Sequence, residues 1–349
     1  MPHTVRLTDR PISFQVDDGE SILAAGLRAG LTLPFGCQSG GCGSCRVRKA
    51  EGEVRHVSEP AALSDAEREA GYVLMCVAEP CTDVALELHQ PLEMDAIRPR
   101  KLPVRVARRE MLSPDVLGLW LQTPPVNPLN WVPGQYIDVL LDGGRRRSFS
   151  IANAPAGDGM LELHLRHVAG GEFVEWAMHE MPERAVLRIE GPLGAFYLRE
   201  DSDRPILLMA GGTGYAPARA ILQRYLARRI TRPLHFYWGA RGRADLYQHD
   251  EIRAWADEHP SLDYTPVLSE PDPDWDGATG FVHEAVLRDY PDQRVREVYM
   301  SGPPPMVQAG KRAFVAAGLD ADHLFYDSFD YAFETWPALE AGHRGAAPD

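Results

Sequence analysis

Lysine is nearly missing from this chain: 3 Lys stand against 33 Arg among 349 residues, a bias that points to a GC-rich genome and carries no structural meaning. Positive charge is short as well. With 50 Asp/Glu against 36 Lys/Arg the net charge is −14, and a chain that displaces counterions from phosphates needs a basic face, so nucleic-acid binding is excluded. No apolar run approaches the roughly 18 residues of a membrane span, and "MPHTVRL" offers no apolar core for a signal peptide. Cysteines number 5, an odd count that suits no disulfide framework. The protein is therefore expected in the cytoplasm, with its thiols reduced or on metal. What the chain has is material for sizeable cores, at 44% hydrophobic, and length for two or three domains at roughly 100–200 residues each. Residues 1–93 carry 14 Asp/Glu against 8 Lys/Arg, an acidic module suited either to a basic partner or simply to solvent.

The pattern along the chain changes twice. Residues 3–16, "HTVRLTDRPISFQV", alternate apolar and polar around Asp9-Arg10-Pro11 and predict a β-hairpin. "GESILAAGLRAG" follows with an acidic first turn, apolar residues at helical spacing and a terminating Gly30, which is one short helix. Beyond a cysteine-rich loop come "CRVRKAEGEV" as strand-turn-strand, the helical "SDAEREAG", and the strands of "YVLMCVAEP" and "TDVALEL". Two hairpins and a final strand around one helix outline a β-grasp domain over 1–93. "MDAIRPRKLP" loses the alternation and carries two prolines among basic residues, so 94–101 reads as a linker. Over 102–199 six short strand-like runs separated by Pro/Gly turns, with "GEFVEWAMHEM" as the one helix, suggest a small antiparallel β-barrel. From 200 to 336 strands and helices alternate, which implies an α/β domain with a parallel sheet. The tail, 337–349, has no periodicity.

Four cysteines form one pattern. In "GCQSGGCGSC", Cys37, Cys42 and Cys45 are spaced C-x4-C-x2-C, and Cys76 follows after thirty residues; this is the plant-type [2Fe–2S] spacing. A loop wrapping three thiolates around one cluster passes through left-handed conformations, which Gly36, Gly40, Gly41 and Gly43 permit. Backbone N–H groups freed there can offset the cluster's negative charge. The same four sulfurs would also serve a structural zinc, although zinc ribbons favour two symmetric knuckles and here the fourth ligand stands alone on an apolar strand. Cys81 lies outside the pattern and is expected as a small buried residue.

Three later stretches suit phosphates and rings. "RRRSFSIAN" sets three arginines ahead of a strand on which Arg147 and Phe149 share one face and Ser148 and Ser150 the other, so a guanidinium can reach a phosphate beside an aromatic. "LLMAGGTGYAPARAIL" runs from an apolar strand through Gly211, Gly212, Thr213 and Gly214 into a helix with Pro217 in its first turn. There a pyrophosphate can meet N–H groups at the positive end of a helix dipole. Pro217 stands where a third glycine would fall, so this is not the G-x-G-x-x-G fingerprint. "YMSGPPPMVQAG" makes another strand-to-helix turn, and ligands of an open α/β sheet sit at the carboxyl ends of its strands. The twelve histidines are scattered, and the sequence offers no Ser-His-Asp or H-E-x-x-H arrangement.

Taken in order, these motifs resemble the ferredoxin–NADP reductase superfamily, in its members with an N-terminal plant-type ferredoxin domain, over about residues 3–335. "RSFS" is similar to that family's flavin motif, "GPLG" at 191–194 to its G-P-x-G turn, "GGTGYAP" at 211–217 to its nicotinamide pyrophosphate loop, and "SGPPPM" at 301–306 to its C-G-P-x-x-M turn. The resemblance implies a [2Fe–2S] cluster on Cys37, Cys42, Cys45 and Cys76, FAD, and NADH with NADPH as the other candidate. It implies that Arg147 binds the FAD pyrophosphate beside Ser148, that Phe149 lies against the isoalloxazine, and that Ser150 hydrogen-bonds near its N5. His167, Gly170 and Gly171 of "RHVAGGEF" would hold the rest of the diphosphate. Gly211, Gly212, Thr213, Gly214, Gly302 and Pro303 would take the nicotinamide nucleotide. Ser301 would stand beside the nicotinamide, where the family usually has Cys, and Phe329 of "FYDSF" would flank the flavin. Val174 stands where a Ser or Thr often donates to the diphosphate, a missing hydrogen bond of about 1 kcal/mol. Arg241 and Arg243, after "FYWGA", lie where the 2′ end of the adenosine should approach and suit either a 2′-phosphate or solvent.

A nicotinamide gives up two electrons as hydride and an iron–sulfur cluster takes one at a time, so a flavin between them makes the three centres one path. The expected function is an NAD(P)H-dependent electron-transfer reductase that serves a partner protein. "RSFSIANAP", "FYWGAR" with "DLY", and "FYDSFDYA" resemble reductases that serve a nucleotide-sugar dehydrase, so that partner would be a dehydrase component, with a mono- or dioxygenase component as the alternative. A redox sensor that holds the cluster without turnover is the reading from another class. It would not reduce ferricyanide or cytochrome c with NADH.

Overall fold

Packing divides the chain into two units, residues 1–100 with 191–195 and residues 101–190 with everything from 196 on. The computed structural model describes residues 2–31, 33–35, 38–41, 43–88 and 97–329, so Gly36, Cys37, Cys42, most of the first half of the expected linker and the expected tail lie outside the described residues.

In the first unit the alternating ends of "HTVRLTDRPISFQV" become β1 (His3–Leu7) and β2 (Ser13–Val16), an antiparallel hairpin in register from His3 with Val16 to Arg6 with Ser13. Val5, Leu7, Phe14 and Val16 are its buried positions. α1 (Ile22–Arg28) is capped by the Ser21 hydroxyl, which accepts from the Ala24 N–H. Its first turn is not acidic: Glu20 precedes the cap and pairs with Arg28 at 2.6 Å. β3 (Arg46–Glu51) lies between β5 (Tyr72–Leu74) and β7 (Val84–Glu87), and β7 runs parallel to β1, giving the order β2-β1-β7-β3-β5. The expected second hairpin does not form. β4 (Val54–His56) pairs instead with β6 (Ala78–Pro80). The chain leaves β3 at Gly52, which presses on the start of β7 so closely that a Cβ would lie 2.1 Å from the Asp83 carbonyl oxygen. α2 (Asp65–Glu69) is closed by a reciprocal capping box of Ser64 and Glu67.

β8 (Arg100–Ser113), β9 (Val116–Gln122), β10 (Tyr136–Leu140), β11 (Arg146–Ser150), β12 (Met160–Arg166) and β13 (Val186–Leu193), which except for Arg100 and Gly191–Leu193 belong to the second unit, make a sheet of order β11-β10-β13-β8-β9-β12. Its two edges meet where Ile151 bridges Leu163 and the Ala152 N–H donates to the Glu162 carbonyl, closing the sheet into a barrel. Leu119, Leu121, Ile137, Leu161, Leu163 and Ile189 fill it, joined by Phe173, Val174 and Ala177 of α3 (Glu172–His179).

The same unit contains a parallel sheet of β14 (Ile206–Gly211), β15 (Leu234–Ala240), β16 (Leu262–Leu268), β17 (Ala278–Thr279), β18 (Glu297–Gly302) and β19 (Leu324–Ser328), in the order β17-β16-β15-β14-β18-β19. β14 is apolar along its length because both faces are covered. Leu208 and Ala210 join one core with α4 (Tyr215–Ala227) and α5 (His249–Glu258), while Leu207 and Met209 join another with α6 (Val282–Asp289) and α7 (Pro304–Ala316). Strand order reverses between β14 and β18, and such a switch leaves a ligand crevice at the carboxyl ends.

Burial is the leading cause that holds His56, His164, His235, His249 and His283 below the ordinary histidine pKa. A group whose folded pKa is depressed takes its proton first in the unfolded chain, so this stability is complete above about pH 6.5 and is lost as pH falls below it. Urea midpoints followed by tryptophan fluorescence should therefore drop from about pH 7 to about pH 5, and His164→Gln should flatten the slope by up to about 1.4 kcal/mol per pH unit. A His164→Gln slope equal to the parent's would contradict this account of His164.

Candidate functional site

The first unit carries the cysteine loop. Cys45, buried just ahead of β3, and Cys76, half-buried between β5 and β6, bring their Sγ atoms to 3.2 Å. That is well beyond the roughly 2.05 Å of a disulfide and suits two ligands converging on one centre. The loop is left-handed at Gln38, Gly40 and Gly43, and a Cβ at Gly40 would crowd the Glu59 carbonyl oxygen at 3.1 Å. Glycine there serves the turn and the close approach together. Cys81, expected as buried, is exposed: it opens the turn after β6, with its N–H on the Glu53 carbonyl.

On the barrel, β11 presents the arginine–serine run. Ser148 donates to Asp138 at 2.6 Å across the register that pairs these two residues, so its hydroxyl secures β11 to β10. Phe149 is half-buried, its ring 5.5 Å from that of Phe173, and Arg147 Nη1 donates to the Arg146 carbonyl at 2.7 Å. α3 starts at Gly171 with no side-chain cap, after Gly170 in the left-handed region. Its open N–H groups and dipole suit an anion, and the pair of Arg145 with Glu172 sets the arginine run beside that first turn. His167 bonds Glu175 one turn farther along. Val174 is buried in the barrel core, which accounts for an apolar residue there. An uncapped helix start beside a guanidinium run and a braced aromatic fits a flavin diphosphate and ring.

At the carboxyl end of β14, a 3-10 turn over Gly212–Gly214 leads into α4, whose start also lacks a side-chain cap. Gly214 lies against the end of β18, where a Cβ would stand 2.1 Å from the Ser301 carbonyl oxygen. Ser301 is fully buried and its hydroxyl donates to the Gly214 carbonyl at 2.6 Å, so it pins the two turns together. Phe329 N–H donates to the Gly302 carbonyl at 3.1 Å, and Pro303 stands at the N-cap of α7. Thr213 is half-buried in the turn. Arg241 is exposed just past β15, whereas Arg243 lies over the Trp275 ring and 3.8 Å from Asp274.

Flavin and nucleotide motifs meet at one contact. Ser150 Oγ donates to Asp327 Oδ2 at 3.3 Å, and Asp327 stands opposite Ser301 in the β18–β19 register. Ser150, Ser301 and the Gly302–Phe329 pair are thereby gathered, while His167 bonds Glu175 and Arg241 is exposed past β15. Sequence reasoning missed Asp327, whose only signal was a single acid inside "FYDSF". It also missed Arg166, whose Nε donates to Asp115 at 2.8 Å and whose Nη2 donates to Asp245 at 2.6 Å. Its Nη1 stands 2.9 Å from where a Gly212 Cβ would be, a cation held over the nucleotide turn. Burial alone would depress the Arg166 pKa, and the two carboxylates outweigh it and raise it.

Three family models match the chain in order: the 2Fe-2S iron-sulfur cluster binding domain over 5–81, the oxidoreductase FAD-binding domain over 103–197 and the oxidoreductase NAD-binding domain over 208–312. The chain is 37% identical over 329 residues to CDP-6-deoxy-L-threo-D-glycero-4-hexulose-3-dehydrase reductase of Yersinia pestis, covering 94% of this chain and 99% of the relative. It is 33% identical over 337 residues to the phenol 2-monooxygenase reductase component DmpP of Pseudomonas sp., covering 94% and 95%. The crystal structure of Amycolatopsis cytochrome P450 reductase GcoB matches with a TM-score of 0.73 at 33% identity, over 94% of this chain and 98% of that one.

Gly214→Ala probes the crevice directly. Its φ of −57° suits alanine, so the penalty comes from crowding the Ser301 carbonyl. Overpacking should cost about 1–3 kcal/mol in thermal or urea unfolding and weaken nicotinamide-nucleotide affinity by roughly tenfold. An unchanged affinity would mean that the two turns do not shape the site.

Proposed function

Because the chain belongs to the ferredoxin–NADP reductase superfamily, as a member with a [2Fe–2S] domain ahead of its flavin and nucleotide domains, we propose that it carries electrons from NADH to a cytoplasmic dehydrase component. It is an NAD(P)H-dependent oxidoreductase that uses a [2Fe–2S] cluster, FAD and a nicotinamide nucleotide and serves a protein acceptor. Among the described residues no helix is long and apolar enough to cross a membrane. When bound, the nucleotide supplies a hydride, the flavin divides the pair into single electrons and the cluster relays them.

The chain's own residues bind and orient. Arg147 and the open start of α3 at Gly170 and Gly171 hold the FAD diphosphate, with His167 at the same helix. Phe149, braced by Phe173, offers its ring to the isoalloxazine. Ser150 would face the reacting edge of the flavin with its oxygen free to accept, because Asp327 holds the hydroxyl proton. Gly211, Gly212, Thr213 and Gly214 take the nucleotide diphosphate under Arg166, and Gly302, Pro303 and Phe329 form the other wall. Ser301 keeps the walls at fixed spacing through its hydroxyl on the Gly214 carbonyl. Cys37, Cys42, Cys45 and Cys76 hold the cluster. The Ser150–Asp327 contact carries this reading, because it ties the flavin strand to the strand beside the nicotinamide turn.

The 37% identity to a dehydrase reductase supports a dehydrase acceptor. The phenol 2-monooxygenase and cytochrome P450 relatives favour an oxygenase component as the second reading. Reconstitution with each kind of acceptor decides between them. In anaerobic titrations run in parallel, NADH should bleach flavin and cluster, and NADPH should do so more weakly through Arg241. Arg241→Ala should reduce NADPH use and leave NADH use intact; equal loss with both coenzymes would remove Arg241 from coenzyme choice. Flavin that NADH fails to bleach would sink the electron-transfer reading in favour of a sensor. Asp327→Asn should lower NADH–ferricyanide turnover by about tenfold at unchanged FAD content, and a rate equal to the parent's would detach Asp327 from the site.

A further inference from the structure

A set of buried polar side chains links α4 and α5 to the barrel. Arg219, on the second turn of α4, is 8% exposed and directs its guanidinium two ways. Nε and Nη2 donate to the two carboxylate oxygens of Glu251 on α5 at 2.7 and 2.9 Å. Nη1 donates to Glu162 of β12 at 2.9 Å and to the Ala152 carbonyl at 3.0 Å. Ala152 lies two residues past Ser150, at the seam where the barrel closes. Glu162 Oε1 also meets His164 Nε2 at 3.0 Å, and His164 Nδ1 meets the Tyr247 hydroxyl at 2.9 Å. Tyr215 donates to Glu251 at 3.0 Å and stacks on Trp238 with centroids 4.0 Å apart, and Trp238 donates to the Gly212 carbonyl at 3.0 Å. One run of contacts thus joins the carbonyl behind the flavin strand to the carbonyl of the nucleotide turn.

Stability is a poor explanation for this set, because desolvation cancels most of the attraction of a buried ion pair. A planar fork that grips two elements at once fixes their distance and direction, which an apolar contact or a lysine does not. Hydride transfer depends on that spacing: a misplacement of about 1 Å can cost about 10²-fold. We propose that Arg219 is a positioning residue for hydride transfer, a strut that sets the spacing between the flavin strand at 150–152 and the nucleotide turn at 211–214. It acts through Ala152, Tyr215 and Trp238. The proposal rests on hydride passing from NAD(P)H to FAD.

The test uses the full chain loaded with cluster and FAD. Arg219→Lys keeps the charge and loses the fork. FAD content and NADH dissociation constant should stay within about twofold of the parent, while the limiting rate of anaerobic flavin reduction falls by about tenfold or more. The isotope effect with 4-deuterated NADH should rise, and amide exchange at 151–153 should quicken. A variant whose reduction rate and isotope effect equal the parent's overturns the strut. Should Arg219→Lys fail to fold or retain FAD, Glu251→Gln, which keeps an acceptor for Arg219 but loses the charge, decides by the same two readings. A parent protein that NADH does not reduce would overturn the hydride path itself, a failure distinct from a variant that behaves like its parent.

Discussion

The carboxyl ends of β14 and β18 stand backbone against backbone, and the nucleotide half of the molecule depends on that approach. Gly214 has no room for a Cβ beside the Ser301 carbonyl, and a Cβ at Gly302 would lie 2.9 Å from the Gly211 carbonyl oxygen. Ser301 closes the gap with a hydroxyl short enough to bond the Gly214 carbonyl. Two strand-to-helix turns so tightly joined leave their free N–H groups on the outer side, where an anion can meet them. The parallel order β17-β16-β15-β14-β18-β19 makes the switch point, and glycine makes it narrow.

Charge is buried where the barrel and the parallel sheet touch, and magnitudes say why. Arg219 keeps its proton: burial works against it, and the hydrogen bond to Glu251 with the charge of Glu162 overcomes burial. Burial holds His164 neutral against the pull of Glu162. Each buried ion costs several kcal/mol to desolvate before its partner returns the energy, so the yield of the arrangement is direction more than stability. Apolar packing elsewhere in the same unit supplies cohesion without direction, as in the cores around Leu163 and Leu208.

Local pattern made much of the fold legible. Alternation in "HTVRLTDRPISFQV" gave the first hairpin, and the apolar run "ILLMAG" gave a strand covered on both faces. Turn chemistry located the glycine turn at the end of β14. What failed was nonlocal. β3 and β4 are consecutive and separated by a glycine turn, yet each pairs elsewhere, since Gly52 packs on Asp83 some thirty residues away. Cys81 follows a strand in sequence but sits in an exposed turn. The bond from Ser301 to the Gly214 carbonyl, 87 residues distant, is likewise one that no local pattern signals. The Arg219 set has no spacing signature, because Ala152, Glu162, Arg219, Trp238 and Glu251 are spread along the sequence.

The division into two packed units follows the chemistry. A hydride moves only between atoms in near contact, at separations of about 3–3.5 Å, so the parts that present flavin and nicotinamide have to be one body. Ser150 with Asp327, Arg166 with Asp245, and Arg219 with Glu162 and Ala152 all bind the barrel to the parallel sheet. Single electrons leaving a flavin place no such demand of bond contact. The β-grasp unit accordingly has its own sheet, its own capped helices and its own converging thiols.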